Sequence, residues 1–502
     1  MNILVYAPLA VLGHHFETDL EIIQNHLDQG DDVTVVTCDA YLSDLKFMAC
    51  KGVLRCEYCQ SRCQQGLSLL RNTQKLTHLS LGKLLPVDCT TGKIDLTSND
   101  QVKSLNYKGA DIGSTYISSL ISDLRNPMVD LGSRVKQTRT SLHLLAAMTD
   151  RFEQLLDENQ PKKVYFFNGR FSLYRPLLRM CQQKKIEFFV HERGGSNLLY
   201  SLTLNNMPHD IATKEREMST LWQDPRRNEE EKVGMSSDWF EKRAMGKGTA
   251  WYSFTDKQDL TELPPCWNSK NQNISIFVSS DDEFAEVPGW EIGMFDTQAH
   301  AVSHILNSFS TQPEFRFYIR MHPNLRGLRN RDIDALRRLG DQNPNCVVIP
   351  PESTVSSYTL LRRSNKVICF GSTTGIEAAY MGTPSILVGK SFYMNLGSTY
   401  KPESPEALEK LVGSKQLAPL PREGALKYGY WAKTVGEPFR HYRPISLTTG
   451  EFNGQMIVGK RRYMFANYLS VALLDIKKII KGEYGLSHLI AKVKAKTKLL
   501  RA

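Results

Sequence analysis

Short unbroken apolar runs, set apart by longer amphipathic stretches, give this chain its rhythm. Ile3-Leu4-Val5-Tyr6-Ala7 and Val33-Thr34-Val35-Val36-Thr37 have the composition of strands buried on both faces. Between them Leu20, Ile22, Ile23 and Leu27 recur at roughly helical spacing, and Gly30 supplies a stop. This is a βαβ opening of the Rossmann type. Val164-Tyr165-Phe166-Phe167 predicts a further strand, Arg175 to Lys184 a helix, and Glu187-Phe188-Phe189-Val190 the next strand. From about Met207 to Thr255 the chain is polar, charged and predicted helical.

The pattern then breaks. Asp256 to Asn273 contains Pro264-Pro265 and several polar residues, the composition of a linker. A second α/β series opens at Ile274-Ser275-Ile276-Phe277-Val278. It continues through Phe315 to Arg320, Cys346 to Ile349, Lys366 to Cys369 and Pro384 to Val388. The pattern therefore predicts an α/β chain of two Rossmann-like domains facing a central cleft, with a helical tail. The expected bounds are 1–255, a linker at 256–273, 274–455, and a tail at 456–502. In such sheets ligands bind beyond the carboxyl ends of the strands, and each loop considered below follows a predicted strand.

The length of 502 residues suits two such domains. No apolar run is long enough to span a bilayer, and the first residues lack the basic and small-residue features of a signal peptide. A cytoplasmic chain is expected, and its ten cysteines are then expected to be reduced. Cys50, Cys56, Cys59 and Cys63 lie close together, with a C-x-x-C among them. Structural zinc is one reading and ordinary thiols the other. The net charge is +10, and residues 460–502 hold eleven Lys/Arg against two acidic residues. Nearly all the excess sits in one tail, which argues against a nucleic-acid groove and for an anionic membrane surface. Ala472, Leu473, Ile476, Ile479 and Ile480 share a helical face there, and Leu486, Leu489, Ile490 and Val493 follow among lysines. Such a segment suits an interfacial helix on the inner face of a membrane, or a terminal helix packed back on the domains.

The densest candidate chemistry is Cys369-Phe370-Gly371-Ser372-Thr373-Thr374-Gly375-Ile376-Glu377, where a strand runs into a hydroxyl-rich turn and a helix. Backbone N–H groups and the Ser372, Thr373 and Thr374 hydroxyls suit a phosphate, and Gly371 permits close approach. Glu377 is placed to accept from ribose hydroxyls, or to complement the helix dipole. Taken alone, Ser372 reads better as an N-cap. Arg320-Met321-His322-Pro323-Asn324 ends another strand; Arg320 offers charge and His322 a donor to a phosphoryl oxygen, or the two belong to a capped turn. Ser279 to Glu283 follows the first strand of the second series, so Ser280, Asp282 and Glu283 are nucleotide-sugar candidates or a solvated acidic helix start.

Arg-x-His-Pro-Asn followed by Gly-Ser-Thr-Thr-Gly-Ile-Glu-Ala-Ala-Tyr-Met-Gly-x-Pro resembles the second domain of bacterial GT-B glycosyltransferases of capsule and lipopolysaccharide biosynthesis. These include Kdo transferases and sialyl- and polysialyltransferases. The resemblance implies that His322 and Ser372 to Thr374 hold the phosphate of a nucleotide-sugar donor, CMP-linked by that likeness, with UDP- or GDP-sugars as alternatives. It implies a glycan or glycolipid acceptor and no cofactor. No Asp-x-Asp flanked by apolar strand residues is present, so catalysis is expected to be metal-independent.

The first domain is then expected to hold the acceptor and a base. His14, His15, Glu17 and Asp19 follow the first strand, and Glu192 follows Val190. His15, Glu17, Asp19 and Glu192 are the base candidates. His14, Arg170 and Arg193 are acceptor candidates, since arginine's fork suits a carboxylate. Each also admits a structural role: a cap, a loop bond or an ion pair. His322 and the turn at 372–374 are expected to converge on one anion between the domains. A nucleotide-sugar epimerase of the same two-domain plan, or a non-catalytic assembly partner, is the competing reading.

Overall fold

The fold is that of a computed structural model describing residues 1–42, 53–89, 92, 94–247, 258–291, 293–446, 449–460, 463–464, 471–473, 475–476 and 479–480. The chain divides into two compact units. The first comprises Met1–His209, Ala285–Val287 and Val435–Asp475; the second comprises Asp210–Phe284, Pro288–Thr434 and Ile476–Ala502.

In the first unit β1 (Asn2–Tyr6), β2 (Asp32–Thr37), β3 (Leu76–Ser80), β4 (Lys163–Phe167) and β5 (Glu187–Arg193) are parallel. Their order is β5-β4-β1-β2-β3, and β6 (Leu199–Leu204) pairs antiparallel with β5. Val5 sits opposite both Val35 and Tyr165. Alternation along β1 explains its apolar run. Leu4 and Tyr6 enter one core with Val36, Leu145 and Phe166. Ile3 and Val5 enter another with Phe16, Leu20 and Val33. Both faces are covered, so neither parity of the strand can be polar. The helix His15–Asp28 buries Phe16, Leu20, Ile23 and Leu27.

The second unit repeats the plan. β7 (Gln272–Phe277), β8 (Phe315–Arg320), β9 (Cys346–Ile349), β10 (Lys366–Cys369) and β11 (Ser385–Leu387) are all parallel, in the order β11-β10-β7-β8-β9. Ile274, Ile276, Phe317, Ile319, Ile368 and Ile386 lie in its core. In each sheet the chain moves outward from its first strand and then returns to that strand's other side. The switch points are therefore β1/β4 and β7/β10, where ligands bind in such folds.

The unit boundaries differ from those expected. The helices Ile211–Gln223 and Glu229–Ala244 cluster with the second unit. Phe240 stacks on Tyr380 with ring centroids 4.0 Å apart, and a Cβ on Gly429 of the helix Glu423–Thr434 would stand 2.4 Å from the Ser236 hydroxyl. Residues 435–475 return to the first unit, where buried Glu21 accepts the backbone N–H groups of Arg440, His441 and Tyr442 at 2.7–3.0 Å. An internal carboxylate that anchors a distant segment leaves no periodicity to read. Of the tail, Ile479 packs against the second core, while Leu473, Ile476 and Ile480 are exposed. The segment Leu486 to Lys498 lies outside the described residues. Among the described residues no helix is long and apolar enough to cross a membrane.

Candidate functional site

In the second unit the three candidate loops leave neighbouring strands: Ser279 to Glu283 after β7, Met321 to Asn324 after β8, and Phe370 to Thr374 after β10. Glu283 accepts from the Asn324 side chain at 3.1 Å. The Ser279 hydroxyl lies 4.0 Å from where a Cβ on Gly371 would stand. The β7 loop is thus bonded to the β8 loop and lies beside the Gly371 turn. Because β7 intervenes, the His322 and Ser372 loops are rooted two strand spacings, about 10 Å, apart.

Each loop's sequence explains its shape. Gly371 has φ +121, and a Cβ there would fall 2.5 Å from the Lys390 carbonyl oxygen, so only glycine fits. Ser372 Oγ accepts from the Thr374 backbone at 3.3 Å and lies 2.9 Å from its hydroxyl. Thr373 occupies the N-cap position yet makes no capping bond, so its hydroxyl is not spent on the helix. Tyr393 donates to the Ser372 carbonyl at 2.5 Å and braces the turn from below. The helix that follows, Thr374–Tyr380, is only seven residues long. So short a helix offers little macrodipole to an anion, which leaves the hydroxyls and side-chain charge as what the turn presents.

His322 is half-buried, and its Nδ1 accepts from the Asn324 backbone at 3.1 Å. That bond assigns the tautomer with the proton on Nε2, a donor fit for a phosphoryl oxygen. Ser280 and Asp282 are buried and bonded to each other at 2.5 Å, so they shape the loop, while Glu283 is exposed. The Ser279 hydroxyl is buried with no hydrogen-bond partner among the described residues.

Two nucleotide candidates are placed otherwise than expected. Arg320 is 2% exposed and donates to the carbonyls of Pro350 and Ser353 at 2.6 and 3.2 Å. Burial, helped by Arg326, lowers its pKa to about 10. It ties the end of β8 to the loop that follows β9. Glu377 is also buried, and its Oε1 accepts from Nε and Nη2 of Arg243 at 3.0 and 2.9 Å. A carboxylate held inside by a guanidinium is not presented to a ribose. Arg243, 134 residues upstream, is the functional candidate that sequence reading missed.

In the first unit His15, Glu192, Asn168 and His191 gather near the β1/β4 switch point. The His15 ring lies 3.9 Å from that of Phe167 and 6.3 Å from that of His191, and its Nδ1 is 4.0 Å from Glu192 Oε1. Burial pushes the His15 pKa well below its ordinary value, assisted by Arg193, His191 and His14. Glu192 is partly exposed and accepts from the Asn168 side chain at 2.9 Å. Asn168 and Gly169 have φ of 60 and 71, the turn that an Asn-Gly pair at a strand end signals. β5 runs through Arg193, so His191, Glu192 and Arg193 belong to a strand, with Arg193 exposed at its end.

The remaining candidates in this unit are internal. His14 is buried between the Tyr442 hydroxyl and the Ser446 carbonyl, each 2.8 Å away. Glu17 is buried against Arg62, which also donates to the Ala10 and Ile457 carbonyls; burial raises the carboxyl's pKa against the pull of Arg62. Asp19 Oδ1 meets His191 Nε2 at 2.8 Å, and burial raises its pKa against the pull of that histidine. Arg170 is buried, donating to Ser118 and to the Ala285 carbonyl at 2.8 and 3.1 Å. Each of these groups is tied to partners within the unit.

A cavity of about 300 Å³ opens at the carboxyl ends of β1 and β2, lined by Ala10, Thr37, Asp39, Cys56, Cys59 and His78 among others. Cys63 lines it too, while Cys50 lies outside the described residues. Among the described residues no group of three or more His, Cys, Asp or Glu side chains is disposed to hold a metal.

Residues 290–413 match a family model described as capsule polysaccharide biosynthesis protein. No curated protein matches the chain. Among solved structures, the KpsC β-Kdo 2,4 transferase of Thermosulfurimonas dismutans aligns at 12% identity and TM-score 0.33, over 54% of this chain and 79% of that one. MurG of Acinetobacter baumannii aligns at 11% and 0.29, over 87% and 96%. A putative UDP-N-acetylglucosamine 2-epimerase from Listeria monocytogenes aligns at 10% and 0.28, over 88% and 92%. Likenesses this slight carry no argument about activity. The family match falls on the stretch that includes both quoted motifs and supports the resemblance drawn from them.

Proposed function

We propose, on the premise that residues 290–413 are those of a capsule polysaccharide biosynthesis protein, that this chain is a glycosyltransferase acting on a nucleotide-sugar. The observation that carries the reading is the arrangement of loops after β7, β8 and β10. A hydroxyl-rich turn, a histidine with a donor Nε2 and an acidic loop stand side by side at a switch point. A CMP-sugar is the favoured donor. In the transfer, the bond from the anomeric carbon to the phosphate oxygen breaks and its electron pair stays with the nucleotide. The acceptor hydroxyl oxygen bonds to that carbon and gives up its proton.

His15 is the base we favour for that proton. A lowered pKa keeps its imidazole neutral at pH 7, and Glu192, 4.0 Å from Nδ1, can orient it. The cavity beside β1 and β2 has room for one sugar ring of a glycan or glycolipid acceptor. Exposed Leu473, Ile476 and Ile480, continued by the basic tail, suit contact with an anionic membrane.

Calorimetry with CMP, CDP, UDP and GDP tests the donor site. One nucleotide is expected to bind selectively, and His322→Ala to weaken it by about 10- to 100-fold, the worth of a hydrogen bond to a charged group. If no nucleotide binds the unaltered chain, the reading fails.

A further inference from the structure

We infer that Arg243 is the cation that meets the donor's phosphate at the Ser372–Thr374 turn; this rests on the transferase reading. Arg243 sits near the end of the helix Glu229–Ala244, far in sequence from either motif. Its Nη2 reaches the Thr373 hydroxyl at 3.4 Å. That hydroxyl is one that the helix cap leaves unused. The guanidinium also lies 4.7 Å from the Trp239 ring, so it is held on one side by an aromatic face and on another by Glu377.

The two members of the Arg243–Glu377 pair are not equally placed. The Glu377 side chain is 3% exposed and that of Arg243 is 24% exposed. A ligand can therefore reach the cation but not the anion. Burial disfavours the charge on Arg243, but Glu377 outweighs it and the pKa stands above the ordinary arginine range. The buried carboxylate thus fixes a guanidinium whose Nη2 also reaches the turn. A guanidinium so held suits a phosphate oxygen.

Two other basic residues of this unit are committed elsewhere. Arg320 donates to the carbonyls of Pro350 and Ser353, and Lys366 is buried with its Nζ on the Val412 carbonyl at 2.6 Å. Lys390 is the rival, since its carbonyl lies under Gly371. When the anomeric C–O bond breaks, the electron pair and its negative charge pass to the phosphate oxygen. A preorganised guanidinium beside that oxygen stabilises the charge as it develops.

Removing one partner of a buried pair destabilises a fold, so the test needs variants that keep charge balance. Calorimetry on the full chain uses whichever of CMP, CDP, UDP or GDP binds best, and its parent nucleoside. Arg243→Gln is expected to weaken the nucleotide by about 10- to 100-fold and leave the nucleoside unchanged. Arg243→Lys should fall between. The double variant Arg243→Gln/Glu377→Gln leaves no uncompensated carboxylate. It should keep the unfolding temperature near that of the parent and still show the loss. Normal nucleotide binding by the double variant overturns the inference. So does an equal loss for nucleotide and nucleoside, or a phosphate-selective loss in Lys390→Gln with none in Arg243→Gln. Each of those leaves the transferase reading standing. An unaltered chain that binds no nucleotide defeats both.

Discussion

At the scale of single residues, the first unit separates groups that hold the fold from groups that can react. His14, Glu17, Asp19 and His15 lie within one helical turn and a half, yet three are internal and partnered. His15 differs because Phe167 packs its ring while Glu192 faces its Nδ1. Its pKa lies well below 6.5, mainly through burial, so the neutral base form persists to lower pH than in an ordinary histidine. Activity should therefore hold through neutral pH and fall only as the pH drops through that lowered value. His15→Asn should cost about 10²- to 10⁴-fold in rate and abolish the acid limb. Donor turnover against pH checks this, and an acid limb that survives the substitution would assign the base elsewhere. Sequence alone could not choose among the four. Exposure and partner decide, and the partners Arg62, His191 and Tyr442 lie 45, 172 and 428 positions away.

At the scale of elements, the strands were legible and the side-chain pairings were not. Strands covered on both faces, such as β1, β2 and β4, read as apolar runs, while β3 (Leu76–Ser80), with no buried residue, did not; the switch-point loops followed from strand order. Gly371 and Ser372 to Thr374 were readable because turn chemistry is local. The partners of Glu377 and Arg320 were not readable, because Arg243 and the Pro350–Ser353 turn meet them only after folding. The helix Val53–Ser68 is a further case. Its cysteines recur at positions 56, 59 and 63, one helical face, and line the cavity beside β1 and β2 with Cys38. Burial raises all four thiol pKa values, that of Cys38 to about 12. A rise from 9.0 to about 12 cuts the reactive thiolate by about a thousandfold. These thiols should alkylate far more slowly at pH 8 than exposed Cys266, as mass spectrometry after timed iodoacetamide treatment would show. Fast labelling of Cys38 or Cys63 would mean that the wall of the cavity is open to solvent.

For the whole molecule, the charge distribution is the feature that no single site explains. Residues 460–502 hold eleven of the 63 Lys and Arg residues and two of the 53 acidic ones, so most of the +10 net charge lies there. Just before the segment outside the described residues, Leu473, Ile476 and Ile480 are 52%, 41% and 78% exposed. Apolar groups left in water beside a basic run are what the proposed interfacial anchor would use. Each Lys or Arg held near an anionic leaflet contributes about 1 kcal/mol, screened within a Debye length. Several such residues with three apolar side chains would bring a soluble donor to a lipid-linked acceptor. The full chain should therefore sediment with phosphatidylserine-containing vesicles and not with phosphatidylcholine alone. Binding should weaken as salt rises, and deletion from Gly485 onward should reduce it, because five of the eleven basic residues lie beyond that point. Equal sedimentation of full and shortened chains would return the tail's charge to solvent and leave Leu473, Ile476 and Ile480 without a membrane role.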